Sequence, residues 1–284
     1  MYSATLRYAA IVVAGMVCIV LGDTAGKTMT SQGMSPFFVA WGRFALAAAL
    51  LAPFCALRRA DLRAFTRPAL ILRAGLIVAG ICLILTALRT EPIANVFGGF
   101  FVSPVIAYFG SALALRERIS LARSALLLLG FCGVILVVKP GFGMTPGMVF
   151  AVGAGSCHGA YLVATRAVAG QWRPRLLLLS QLVIGGLVLT PPGLMAWPET
   201  LPPGFAWAFP LSAIGSAMGN YLVVIASRVL PGNIVAPLIY SQIVAAIIVG
   251  YLAFGDWPDA LAFLGLAVIV GSGGLGLWFA TRGR

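Results

Sequence analysis

The sequence contains two related halves, separated by an almost constant offset. Residues 87–92 read Ala-Leu-Arg-Thr-Glu-Pro and residues 226–231 read Ala-Ser-Arg-Val-Leu-Pro, with Ala, Arg and Pro in the same places. Glu117 and Asp256 keep the same offset of 139 residues. Because two copies of one unit normally pack as a pseudosymmetric pair, this repeat constrains the fold more than any single residue does.

Long apolar stretches fill both halves of the chain. Hydrophobic residues make up 61% of the 284 residues and charged residues only 9%, against roughly 25% charged residues in soluble domains. A helix needs about 20 residues to cross roughly 30 Å of hydrocarbon. We predict ten membrane spans, at residues 8–26, 36–57, 70–89, 92–114, 121–139, 146–168, 175–196, 204–228, 232–254 and 259–280. Their apolar runs lack the alternation of polar residues that barrel strands show, so we expect helices.

Positive charge is distributed unevenly between the predicted loops. With the N-terminus placed in the cytoplasm, fifteen of the nineteen Lys and Arg residues fall on the cytoplasmic side. Lys27, Arg89 and Lys139 fall on the outer side, and Arg43 lies inside the second span. Cytoplasmic loops of membrane proteins carry an excess of cations, so we predict a multi-pass protein of the bacterial cytoplasmic (inner) membrane with both termini in the cytoplasm. The basic face suits anionic lipid head groups, so the net charge of +12 implies no nucleic-acid partner.

An odd number of spans in each repeat gives the two copies opposite orientations in the membrane. Residues 1–140 and residues 145–284 each hold five predicted spans, so the second repeat is inverted within a single transmembrane domain, residues 1–284. Inverted repeats place a binding site near the membrane midplane, and rocking of the halves exposes that site to each side in turn. This all-α architecture favours a transporter of a small molecule.

Residues that carry enzyme chemistry are scarce in this sequence. His158 is the only histidine, the acidic residues number seven, and the five cysteines form no Cys-x-x-Cys pair. A multi-histidine metal site is therefore excluded, and the glycine strings lack the Lys and Ser/Thr of a phosphate loop. We expect no catalytic residues, no metal and no cofactor. An integral-membrane enzyme, the main rival class, would be expected to cluster acids, histidines or a cation site at a membrane surface.

The end of the first repeat resembles a known family. Residues 87–104, 112–117 and 125–134 resemble the carboxyl half of an EamA repeat, and the match recurs more weakly over residues 226–273. EamA proteins belong to the drug/metabolite transporter superfamily, in which YddG-like exporters of amino acids, aromatic ones included, are the subgroup that the sequence resembles. The resemblance implies ten helices around a central cavity and export of small organic metabolites. Carriers of lipid-linked or nucleotide-sugar substrates are the alternative within transporters.

Two charged residues inside predicted spans are candidates for substrate contact. Arg43 lies about seven residues inside the second span, roughly 10 Å from its outer end. Asp23 lies near the outer end of the first span, one helical turn before Lys27. A charged side chain in hydrocarbon is costly unless it faces a partner or a cavity. Asp23 can therefore pair with Lys27, pair with Arg43 or contact a substrate amine, and Arg43 can bind a carboxylate or reach towards the surface.

Aromatic and neutral polar residues form a second group of candidates for substrate binding. Such residues line a cavity or simply pack against neighbouring helices and lipid, and the sequence leaves both readings open. The group consists of Phe97, Phe100, Phe101, His158, Tyr161, Gln181, Asn220, Tyr221, Tyr240 and Gln242. Gln181 corresponds to Arg43 in the other repeat, so the two halves differ in charge at this position.

Two prolines lie inside predicted spans, Pro104 in the fourth and Pro237 in the ninth. Each removes a backbone hydrogen bond and can bend its helix. We predict a hinge for alternating access at each proline, with a fixed kink as the alternative.

Overall fold

The computed structural model describes residues 2–57, 59–91, 93–138, 145–254 and 260–282, and every regular element within these ranges is helical. The α-helices are α1 (Tyr2–Thr30), α2 (Pro36–Leu51), α3 (Pro68–Thr90), α4 (Ile93–Phe100), α5 (Val102–Leu115), α6 (Leu121–Val138), α7 (Pro146–Ala169), α8 (Pro174–Met195), α9 (Phe205–Ser227), α10 (Gly232–Ile239), α11 (Ser241–Phe254) and α12 (Ala260–Arg282). Two 3₁₀ helices, Ala52–Cys55 and Arg59–Thr66, connect α2 to α3. Lys139 and Asp256, used above for the charge distribution and the repeat, lie outside the described residues.

Within the described ranges, eight helical segments are long and apolar enough to cross a membrane, as expected of a multi-pass membrane protein. They are Thr5–Thr30, Pro36–Cys55, Pro68–Thr90, Val96–Leu115, Pro146–Ala169, Pro174–Met195, Phe205–Ser227 and Gly232–Ala253. Two further apolar segments, Leu121–Leu136 in α6 and Phe263–Gly276 in α12, are shorter. The eight long segments coincide with eight of the predicted spans, and the count of ten stays a prediction.

The fourth and ninth predicted spans are each interrupted in the middle. The first is divided into α4 and α5 at Phe101, and the second into α10 and α11 at Tyr240. Pro104 lies in the first turn of α5, where its missing N–H has no partner inside the helix to lose, and Pro237 lies in the last turn of α10. The two breaks are 139 residues apart, the offset of the repeat. Both prolines therefore lie beside helix breaks, and movement at these breaks stays a prediction.

Corresponding helices of the two halves make matching contacts. Helix α1 packs against α9, the equivalent of α3, and α3 packs in the same way against α7, the equivalent of α1. Helix α2 packs against its equivalent α8, and α6 packs mainly against its equivalent α12. The packing is thus that of a pseudosymmetric pair, and the inversion of the second half across the membrane stays a prediction.

Glycines allow α1 and α9 to approach each other closely. A Cβ atom on Gly219 would lie 2.5 Å from the backbone oxygen of Gly15, and a Cβ on Gly22 would lie 2.8 Å from the backbone nitrogen of Ser216. Such backbone contact is typical of small residues at the interfaces of membrane helices. Since Gly22 precedes Asp23 and Gly219 precedes Asn220, the contact sets the relative position of two candidate site residues.

Candidate functional site

Helices α1 and α2 bring Asp23 and Arg43 together in the interior of the bundle. Arg43 Nη2 donates a hydrogen bond to Asp23 Oδ1 at 2.8 Å, and both side chains are buried. Of the partners that the sequence allowed for Asp23, the structure therefore shows Arg43, while Lys27 Nζ donates to the backbone oxygen of Glu91 at 2.9 Å. The buried Nε and Nη1 atoms of Arg43 have no hydrogen-bond partner. They are available to a ligand.

A small cavity adjoins the Asp23–Arg43 pair. Its volume is about 10 Å³, and its polar lining consists of Arg43, Gln181, Ser216 and Asn220. A volume of roughly 10–15 Å³ holds about one water molecule. The Asn220 Oδ1 atom is buried without a hydrogen-bond partner. At this level the interior therefore has room for about one water molecule, and the wider central cavity that the family resemblance implies stays a prediction.

Arg73 on α3 forms a second polar centre in the interior. Its Nε donates to Thr165 Oγ1 at 2.8 Å, its Nη1 to the backbone oxygen of Leu177 at 2.8 Å, and its Nη2 to the Tyr161 hydroxyl at 2.9 Å. The guanidinium carbon also lies 4.8 Å from the centre of the Tyr161 ring, within the range of a cation–π contact. In the part of the chain that the structure describes, no carboxylate pairs with Arg73.

The sequence analysis missed Arg73 because it counted this residue among the cytoplasmic cations. A signal was present, since Arg73 lies inside the predicted span 70–89 just as Arg43 lies inside the span 36–57. A fully buried arginine in a membrane helix is costly, and such residues normally face the bundle interior or a substrate pathway. Arg73 therefore belongs with the candidate site residues.

Hydrogen bonds and ring contacts join several of the predicted residues into one cluster. The Tyr161 hydroxyl donates to Gln181 Oε1 at 3.0 Å, which links Arg73 to the small cavity. The His158 ring stacks on the Tyr161 ring with centroids 5.9 Å apart, and His158 Nδ1 is hydrogen-bonded to Ser103 Oγ at 2.8 Å. Ser103, His158, Tyr161 and Gln181 thus form one connected cluster.

The aromatic candidates meet at the two helix breaks. Phe101 and Tyr240 contact each other with ring centroids 5.7 Å apart, and Phe97 and Phe100 pack against Phe101. Phe100 also lies 5.0 Å from the His158 ring, which connects the aromatic and polar clusters. The Tyr240 hydroxyl is buried without a hydrogen-bond partner. A buried aromatic surface therefore lies directly beside the polar groups.

Two predicted residues, Tyr221 and Gln242, make none of the contacts described so far. Tyr221 lines a lateral groove together with Met218 and Arg175, instead of the small cavity that its neighbour Asn220 lines. Gln242 is buried, and neither its amide nitrogen nor its amide oxygen has a hydrogen-bond partner. The structure thus brings most of the predicted residues together and separates Tyr221 from them.

Most of the arginines lie at one end of the bundle, where α5, α7 and α9 end and α10 begins. We call this the Arg-rich end, and hydrogen bonds join its helix ends. Arg166 Nε donates to Glu117 Oε1 at 2.9 Å, and Arg166 Nη1 donates to the backbone oxygen of Ser227 at 2.8 Å. The backbone N–H of Gly232 donates to Glu117 Oε2 at 2.8 Å. These contacts join the ends of α7 and α9 to the start of α10 and to the loop after α5.

At the opposite end, Glu91 occupies a similar position between helix ends. Its backbone oxygen accepts from Lys27, and its Oε1 atom accepts from the Thr145 hydroxyl at 2.6 Å. Lys27 precedes Arg166 by the repeat offset of 139 residues, and each cation donates to a backbone oxygen at a helix end of its own half. At each end of the bundle, therefore, a cation donates to a backbone oxygen and a glutamate accepts a hydrogen bond from the other half.

The cluster is composed of neutral amides, aromatic rings, two arginines and one aspartate. Among the described residues, no three His, Cys, Asp or Glu side chains come close enough together to hold a metal ion. The polar groups donate and accept hydrogen bonds around a closed cavity, which suits the binding and release of a small molecule.

Two transporters and one protein of known structure are similar to this chain. A riboflavin transporter of Vibrio cholerae is 27% identical over 269 residues, which cover 90% of this chain and 88% of that protein. A riboflavin transporter of Rhizobium johnstonii is 27% identical over 190 residues, which cover 64% of this chain and 61% of that protein. Neither is named as an exporter of amino acids. One protein of known crystal structure shares the fold, with a TM-score of 0.78, 20% identity, and coverage of 97% of this chain and 99% of that chain.

The family relationship extends over nearly the whole sequence. The profile of the EamA-like transporter family matches residues 6–139 and again residues 145–275. Membership of this family points to a transporter rather than to an enzyme. On this evidence the chain belongs to the EamA-like transporter family.

Proposed function

We propose that this chain carries riboflavin, or a related planar heterocycle, across the bacterial cytoplasmic membrane by alternating access. The two relatives named as riboflavin transporters support this substrate, since the Vibrio protein aligns with 90% of the chain. The structural observation that carries the proposal is the aromatic surface of Phe100, Phe101 and Tyr240 beside neutral hydrogen-bonding groups.

The chemistry of riboflavin matches this combination of side chains. Its fused ring system is planar and apolar on both faces, while its imide edge and its polyol chain offer donors and acceptors without a net charge. Aromatic side chains stack on such rings, and amide side chains pair with an imide edge through one donor and one acceptor. Asn220 and Gln242 each hold at least one buried amide atom without a partner. A bound heterocycle would satisfy such atoms once the helices separate.

Counterflow in reconstituted vesicles tests the substrate without assuming a direction of transport. Vesicles preloaded with unlabelled riboflavin are expected to accumulate labelled riboflavin when they contain this chain. Replacing Asn220 with Ala is expected to lower the initial rate about tenfold, because one buried hydrogen-bond partner of the substrate is worth roughly 1.4 kcal/mol. The exposed Gln171 provides the matched control, and Gln171→Ala is expected to keep the rate. No accumulation above protein-free vesicles would reject the riboflavin proposal.

Export of amino acids, aromatic ones included, is a second candidate. The Asp23–Arg43 pair favours it, since a zwitterion carries an ammonium group and a carboxylate that could exchange partners with this pair. The same vesicles distinguish the two candidates. Counterflow of labelled tryptophan or phenylalanine without counterflow of riboflavin would support the amino-acid exporter.

Alternating access requires the Arg-rich end to open, and Glu117 holds it closed through Arg166 and Gly232. Glu117→Gln is expected to raise hydrogen exchange at residues 227–232 about tenfold, because charge-assisted hydrogen bonds worth roughly 1.5 kcal/mol are lost. Hydrogen–deuterium exchange in nanodiscs, followed by mass spectrometry, measures this change.

The matched control for the Glu117 experiment is Asp61→Asn. Asp61, on the 3₁₀ helix Arg59–Thr66, pairs with Arg173, which directly precedes α8 at the same end of the bundle. This substitution is expected to leave exchange at residues 227–232 unchanged. Equal exchange in the Glu117 and Asp61 variants would show that the Glu117 contacts do not control opening.

A further inference from the structure

A lateral groove opens on the side of the bundle, near the Arg-rich end. Its volume is about 370 Å³. Two walls are formed by residues at spacings of three, four and seven, which place each set on one helix face. These wall residues are Ala47, Leu50, Leu51 and Phe54 from α2 and the turn after it, and Ile214, Ala217, Met218 and Tyr221 from α9.

The groove faces outward from the bundle. Phe54 is 71% exposed and Met218 is 44% exposed, although both belong to segments that are apolar enough to span a membrane. Exposed apolar side chains on a membrane span face lipid tails rather than water. The groove is therefore open to the hydrocarbon of the bilayer.

A cationic side chain closes the groove at its Arg-rich end. Arg175, near the start of α8, lines the groove and is exposed, and its Nη1 atom donates to the backbone oxygen of Phe54 at 3.2 Å. Exposed Arg173 lies two residues before it in sequence. Tyr221 supplies the one hydroxyl group among the residues that line the groove. The groove is thus an apolar slot that ends in positive charge at the membrane surface.

We propose that the lateral groove binds one acyl chain of an anionic phospholipid, whose phosphate contacts Arg175. A hydrocarbon chain matches the apolar walls, and a guanidinium forms short, charge-assisted hydrogen bonds with phosphate oxygens. Each Lys or Arg near the surface adds attraction to anionic lipids. A zwitterionic lipid such as phosphatidylcholine fills the same walls and also carries a phosphate, but its ammonium group offsets part of the attraction to Arg175. Selectivity for a head group therefore arises at this one end.

A helix from a second protein fits the groove less well. The wall positions extend over seven residues, roughly 10 Å along a helix axis, which is about two helical turns. An acyl chain enters such a short slot end on, with its remaining length in the bilayer. The groove shares only the Ala217 lining with the small central cavity, so this proposal does not depend on the substrate that the central site carries.

Native mass spectrometry of the purified full-length chain tests the lipid proposal. The chain is incubated in detergent with equal amounts of dioleoyl phosphatidylglycerol and dioleoyl phosphatidylcholine. We expect retention of one phosphatidylglycerol molecule with about fivefold preference, the ratio expected for one cation near the surface. Arg175→Gln is expected to remove this preference. Arg228→Gln, which neutralises an exposed arginine at the same end outside the groove lining, is expected to keep it.

A second pair of variants tests the apolar walls. Met218→Trp places a larger side chain in the groove and is expected to reduce retention of both lipids several-fold. Leu211→Trp changes an exposed residue of the same helix outside the groove lining and is expected to have no such effect. The proposal is wrong if both lipids bind equally to the unmodified chain, if Arg175→Gln behaves like Arg228→Gln, or if a second copy of the chain occupies the groove.

Discussion

Replacing Asp23 with Asn is expected to lower the thermal stability of the protein sharply and to abolish counterflow. The substitution leaves the Arg43 guanidinium buried without its counter-charge, since the two side chains meet at 2.8 Å with little exposure. Removing one partner of a buried ion pair costs about 3–5 kcal/mol, because the remaining charge stays desolvated. The shift in melting temperature can be measured in detergent by intrinsic fluorescence.

A double variant separates the structural role of this pair from its role in binding. Asp23→Asn combined with Arg43→Gln removes both charges, so most of the lost stability is expected to return while counterflow stays absent. Asp61→Asn is the control, because its partner Arg173 is exposed and such surface pairs contribute about 0–1 kcal/mol. If Asp23→Asn melts at the same temperature as the unmodified protein, the pair does not stabilise the bundle. If the double variant transports normally, the pair does not bind substrate.

Gly219→Ala is expected to produce the second large effect, at the contact between α1 and α9. A Cβ atom at this position would lie 2.4 Å from Ile19 Cγ1 and 2.5 Å from the backbone oxygen of Gly15. The backbone cannot move aside as a flexible side chain can, so the helices must separate, at a cost of about 1–3 kcal/mol. The displacement would also shift Asn220, the next residue, away from the small cavity.

Gly75→Ala provides the matched control for Gly219→Ala. Gly75 lies on the exposed face of α3, and a Cβ atom there would meet nothing within 4 Å. Because Ala favours a helix over Gly by about 1 kcal/mol, this variant is expected to melt at the same temperature or higher. Melting curves and counterflow rates of the two variants give the comparison. Equal melting temperatures would show that the α1–α9 contact tolerates a methyl group.

The positions of most helices could be predicted from the sequence alone. Several observed helices begin close to predicted starts, at Pro36, Pro146 and Pro174, since proline is favoured in the first turn of a helix. The interruptions at Phe101 and Tyr240 could not be placed, because the residues around both positions are as apolar as the rest of the spans. Only the nearby prolines indicated that the helices bend there.

The candidate site could be predicted only as a collection of polar and aromatic residues. The sequence allowed Asp23 two charged partners, Lys27 and Arg43, and the structure shows Asp23 paired with Arg43. The sequence offered no indication that Arg73 contacts Tyr161, which lies 88 residues away on another helix. Contacts of this kind depend on which helices are neighbours and on how each is rotated, and neither property is local in sequence.

By itself, the sequence determined that this chain forms a bundle of apolar, membrane-spanning helices, because the length and composition of each span are local properties. Only the tertiary structure decided that Tyr221 lines the lateral groove while its neighbour Asn220 lines the central cavity. In a soluble helix, hydrophobic periodicity marks the buried face, but a membrane helix is apolar on its lipid-facing side as well. The direction of each side chain is therefore set by the packing of the helices, which no local pattern in this sequence records.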